Sequence, residues 1–109
     1  MADAFDDGSF LDAYRLALHE AGRLAAEEKN LEDERKRTIS GLIAASSESV
    51  AKAEHAARSN RDVHALDDQL AQVRLVAAAA GAEATYMETR YEVWRTRQAT
   101  WRAKQGQRQ

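Results

Sequence analysis

The chain has 109 residues, a formal net charge of -2, 44% hydrophobic and 31% charged residues, and neither cysteine nor proline. One domain is the most such a length supports, and a compact globule of this size would bury roughly 65% of its unfolded surface. Missing cysteine excludes disulfides and thiolate metal sites, and the absence of any apolar run near ~20 residues argues against a membrane-spanning helix.

Much of the apolar content is alanine, as in Ala77-Ala78-Ala79-Ala80, and large aliphatic residues are thinly spread. Alanine favours helix while burying little area, so the composition points to long helices in close contact. No segment alternates β-branched or aromatic with polar residues between turn signals, and no sheet is expected. The predicted fold is all-α: two long helices in an elongated, coiled-coil-like hairpin that self-associates to complete its core.

Residues 1–8 read as a disordered acidic leader. Ser9-Phe10-Leu11-Asp12 then has the spacing of a capping box, with Asp at the third helical position, and predicts the start of a first helix covering about 9–58. Its stripe is Leu11, Tyr14, Leu18, Ala21, Leu24 or Ala25, Leu31, Ile39, Leu42 and Ala45, interrupted by Glu28 and Arg35 to give a charged waist. Gly22 and Gly41 each weaken this helix by about 1 kcal/mol relative to alanine, and the serines at 46, 47 and 49 could break it near 40–48.

A turn is predicted over 59–62, where Asp62 can cap the second helix. That helix, about 63–104, carries the stripe Val63, Leu66, Leu70, Val73, Ala77, Ala80, Ala84, Met87, Tyr91, Trp94 and Trp101. Gly106 and the Gln-rich residues 106–109 are expected to end it as a disordered tail. Two helices of ~40–50 residues would each be ~60–75 Å long.

Catalytic chemistry finds no foothold. His19-Glu20 begins like a zinc-protease motif, but Arg23 stands where the second histidine belongs. His55 and His64 flank the turn and read as solvated. Glu27-Glu28 and Asp67-Asp68 are sequence neighbours pointing to different helix faces, which suits solvated charge rather than a shared proton. Neither enzyme activity, a metal nor another cofactor is expected.

Charge is unevenly spread. Residues 1–34 hold ten acids and three bases, whereas from Val93 onward the chain has Arg95, Arg97, Arg102, Lys104 and Arg108 and no acid. Around 100° per residue, Met87, Tyr91, Trp94, Gln98 and Trp101 share one face; Arg90, Arg97 and Lys104 line one edge, and Arg95 with Arg102 the other. Two readings of Tyr91, Trp94 and Trp101 stand side by side. They are a packing core or oligomer interface with arginine stems over its edges, or a platform on which single-stranded bases stack while Arg90, Arg95, Arg97, Arg102 and Lys104 bind phosphates.

From Ser49 to Lys104 the sequence resembles small helical proteins of tailed phages and prophages. The carriers are Ala51-Lys52-Ala53-Glu54-His55-Ala56-Ala57-Arg58-Ser59 and the run from Arg90 through Tyr91-Glu92-Val93-Trp94-Arg95-Thr96-Arg97 to Ala103. The resemblance implies a homo-oligomeric recombination mediator in the host cytoplasm, with single-stranded DNA or RNA and a recombinase or annealing protein as partners. An adaptor coiled coil that binds only protein is the alternative.

Overall fold

The computed structural model describes residues 8–107, and within them the chain is all-α, with three helices: α1 (Phe10–Ala45), α2 (Val50–Arg58) and α3 (Arg61–Gln107). The predicted leader lies outside the described residues except for Gly8. Two compact units share these helices, residues 22–78 forming one and residues up to 21 together with 79 onward forming the other.

In the unit 22–78 the predicted first helix is divided. Helix α1 ends at Ala45 and α2 begins at Val50, because serine side chains and local turns claim the backbone groups that would have continued the helix. The Ser46 Oγ accepts from the Glu48 N–H at 3.1 Å, and the extended Ser49 caps α2 by accepting from the Lys52 N–H at 3.4 Å. The next turn occupies Ser59 and Asn60. Its cap is Asn60 rather than Asp62: the Asn60 Oδ1 accepts from the Asp62 N–H at 2.7 Å, which places Asp62 inside the first turn of α3.

The core of this unit is drawn from all three helices: Leu24, Ala53, Ala57, Val63, Leu66 and Leu70 are buried. Ala53 and Ala57, four residues apart, are the face α2 contributes, and Val63 is wholly enclosed. The charged waist is real and paired. Glu28, Glu32 and Arg35 are half-buried on α1; Arg74 of α3 donates to Glu32 at 3.1 Å and to Glu28 at 3.3 Å, while Arg35 donates to Asp67. Matching 28 and 32 to 74, and 35 to 67, makes α1 and α3 antiparallel here. The bonds from Glu32 and then Glu28 raise the Arg74 pKa further, so that guanidinium is charged at every working pH.

In the other unit the start of α1 packs on the second half of α3, again antiparallel, since Phe10 meets Trp94 and Tyr14 meets Tyr91. Phe10, Ala84 and Met87 are buried. The buried row on α1 therefore begins at Phe10, not Leu11, and Leu18, expected on the stripe, is 50% exposed. Choosing Phe10 encloses a whole aromatic ring, a larger gain than Leu11 offers in that place. Of the alternatives Leu24 and Ala25, Leu24 takes the inward position, and Ala45, also expected on the stripe, is exposed.

Helix α3 runs through Gly106 to Gln107, beyond the expected end at 104. A glycine costs only about 1 kcal/mol in a helix, and with proline absent nothing nearby forces termination.

Candidate nucleic-acid interface

The aromatic residues proposed from sequence divide into two groups. Tyr91 and Trp94 belong to an intrachain cluster. The Phe10 ring stands edge-on to Trp94 with centroids 6.1 Å apart, Tyr91 stacks near Trp94 at 6.0 Å, and Tyr14 lies 5.5 Å from Tyr91. Gly8 closes the cluster. Its φ of +87° suits a residue without Cβ, and a Cβ there would come within 3.4 Å of the Trp94 ring and 3.2 Å of Leu11. The Gly8 carbonyl accepts from the Leu11 N–H at 2.9 Å, so the entry turn into α1 is seated directly on Trp94.

Arg90 joins this cluster, its guanidinium carbon 4.8 Å from the Phe10 ring centre, a cation–π arrangement. Tyr14 feels the enclosure too: burial, followed by the charges of Glu88, Tyr91 and Glu92, raises its pKa above the ordinary 10.0.

Trp101 is different. It is 47% exposed, and residues 95–107 are all exposed apart from half-buried Gln98 and Gln105. From Trp94 to Gln107 the helix advances about 20 Å. Along that length it carries Arg95, Arg97, Arg102 and Lys104 and no acid. In helical projection Arg97 and Lys104 lie about 40° and about 60° to one side of Trp101, and Arg102 and Arg95 about 100° and about 120° to the other. Arg95 reaches Glu92 at 3.9 Å in an exposed pair of little energetic weight. Arg97, Arg102 and Lys104 make no ion pair among the described residues.

The chain matches no protein-family model, no curated protein and no solved structure.

Chemically, this segment offers one planar aromatic face between two rows of cations, with three guanidinium groups suited to phosphate oxygens. His19, His55 and His64 are exposed and scattered. Among the described residues no group of three or more His, Asp or Glu side chains is placed to hold a metal ion, and no helix is long and apolar enough to cross a membrane. Sequence periodicity could not separate Trp94 from Trp101, because both occupy the same stripe; where the opposing helix stops is what divides them.

Proposed function

We propose that this protein is a non-enzymatic, self-associating accessory factor that binds single-stranded nucleic acid through the C-terminal part of α3, in phage DNA recombination or replication. The observation that carries the binding reading is Trp101, half-exposed and flanked by Arg95, Arg97, Arg102 and Lys104 on a helical segment without acids. Stacking of one base on such a ring contributes about 1–3 kcal/mol and tolerates any base, while the cations neutralise phosphates. Tyr91, Trp94 and Arg90 support the site by bracing the helix against the start of α1. The phage setting, the host cytoplasm and a recombinase or annealing partner rest on the resemblance over residues 49–104.

Anisotropy of a labelled oligonucleotide tests the reading. Binding should weaken steeply with salt, and replacing Arg95, Arg97, Arg102 and Lys104 by Gln should flatten the plot of log affinity against log salt by about 0.7 per lost contact. Trp101→Ala should weaken binding with an unchanged slope. If folded protein gives a flat titration at ~50 mM salt, where phosphate contacts are strong, the site docks protein instead and the adaptor reading replaces this one.

A further inference from the structure

Helix α3 carries a second coiled-coil face that its packing on α1 does not use. In the unit containing residues 79 onward, Ala82, Tyr86, Thr89, Val93, Thr96 and Thr100 succeed one another at alternating steps of four and three, the spacing of a two-stranded seam. This row lies about 160° around the helix from Ala84, Met87, Tyr91 and Trp94. Every member is exposed, Tyr86 at 60% and Val93 at 45%.

The threonines make the row look half polar, but their hydroxyls are already used. Thr89 donates to the Thr85 carbonyl at 3.2 Å, Thr96 to that of Glu92 at 3.0 Å and Thr100 to that of Thr96 at 3.0 Å. Each hydroxyl turned back onto the helix leaves the γ-methyl to meet a neighbour. The face offered outward is therefore methyl, isopropyl and phenol.

We infer that a second copy of this chain occupies that face, the two α3 helices lying parallel and in register. Charge selects both occupant and orientation. With Tyr86, Val93 and Thr100 at one core position of the heptad and Ala82, Thr89 and Thr96 at the other, Glu92 flanks the seam on one side and Arg97 on the other. In a parallel pair those flanking positions meet across the interface five residues apart, so Glu92 of each copy faces Arg97 of the other. An antiparallel pair would instead set Glu92 of one copy against Glu92 of the other near its centre. The β-branched Val93 and Thr100 also suit the core position at which two-stranded parallel coils favour them.

Residues 79–103 span about 36 Å, and a contact strip about 10–12 Å wide covers roughly 400 Å² per copy, below a standard interface and typical of a weak, micromolar association. The arrangement deepens the proposed function and its consequence rests on that reading: with Arg97 turned to Glu92 of the other copy, two Trp101 rings and two sets of Arg95, Arg102 and Lys104 come to the same end, so one strand engages both copies with the gain of bivalency.

Self-association is measured without nucleic acid, so that the two ideas fail separately. Sedimentation equilibrium of the full chain from ~1 to ~500 μM should show a monomer–dimer equilibrium, and Tyr86→Glu with Val93→Glu should abolish it while the circular dichroism stays helical, both sites being exposed. Glu92→Arg or Arg97→Glu alone should weaken the dimer about tenfold, and the two together should restore it, an outcome that general damage to the fold does not produce. The chain lacks cysteine, so Ala103→Cys, the next seam position, reports orientation: oxidation should link the two copies. A monomer throughout the range, or a dimer indifferent to the Tyr86 and Val93 changes, overturns the interface. A dimer that Ala103→Cys cannot cross-link overturns the parallel arrangement. A sound dimer with no oligonucleotide binding leaves this inference standing and removes the proposed function.

Discussion

Trp94 and Trp101 are the same residue type seven positions apart on one helical stripe, and replacing each by alanine should have opposite consequences. Trp94 is half-buried against Phe10, Tyr91 and the Gly8 turn. A fully covered indole buries up to ~250 Å²; taking about 100 Å² of apolar area removed by packing at ~25 cal/mol/Å² gives about 2.5 kcal/mol. The edge-on contact with Phe10 adds about 0.5–1.5 kcal/mol, so Trp94→Ala should cost about 3–4 kcal/mol. For a domain of this size that lowers the melting temperature by roughly 10–25 °C. Trp101 is 47% exposed, and Trp101→Ala should cost less than about 1 kcal/mol. Thermal and urea unfolding followed by circular dichroism, at one fixed protein concentration, checks both. Equal losses for the two variants, or a loss under about 1 kcal/mol for Trp94→Ala, would refute the assignment of Trp94 to packing and Trp101 to the open surface.

Other perturbations probe the same geometry. Gly22 and Gly41 sit inside α1 with nothing within 4 Å of a built Cβ, so Gly22→Ala and Gly41→Ala should each raise unfolding stability by about 0.5–1 kcal/mol, read from urea midpoints. A double-mutant cycle of Arg35→Ala and Asp67→Ala should give a coupling of about 0.5–1 kcal/mol that shrinks in high salt, the pair being only partly shielded; zero coupling would remove it from the packing account. Tyr14 has a raised folded pKa, so its contribution is complete below the ordinary 10.0 and is lost as pH climbs through the higher folded value. Stability should therefore fall above pH ~10, and fall less steeply in Tyr14→Phe; identical alkaline profiles would contradict the burial of that ring.

The seam of α3 is legible in the sequence because Val63, Leu66, Leu70, Ala84 and Met87 keep helical spacing, and all five are buried. The seam of α1 is less so. Leu11 and Leu18 form as good a pattern as Phe10, Tyr14 and Leu24, and periodicity alone does not rank two rows about 80° apart. The break at 46–49 is suggested by its serines, but whether hydroxyls cap a new helix or point to solvent is a competition of nearly equal energies. The end of α3 is misread at Gly106 for a like reason, a single glycine being too small a penalty to decide a boundary.

By itself the sequence determined the helical class, since alanine abundance, absent proline and unbroken periodicity of three and four leave the backbone no competing way to bond itself. It also determined the acid-free basic end, because local charge is a property of the chain. Only tertiary structure decided which aromatic rings are spent on packing. That choice depends on where the start of α1 falls along α3: the Gly8 turn seats on Trp94, and the helix beyond it is left with an exposed Trp101 among its cations. An antiparallel alignment is set by long-range burial and by pairs such as Arg35 with Asp67, contacts between residues distant in sequence that no local pattern encodes.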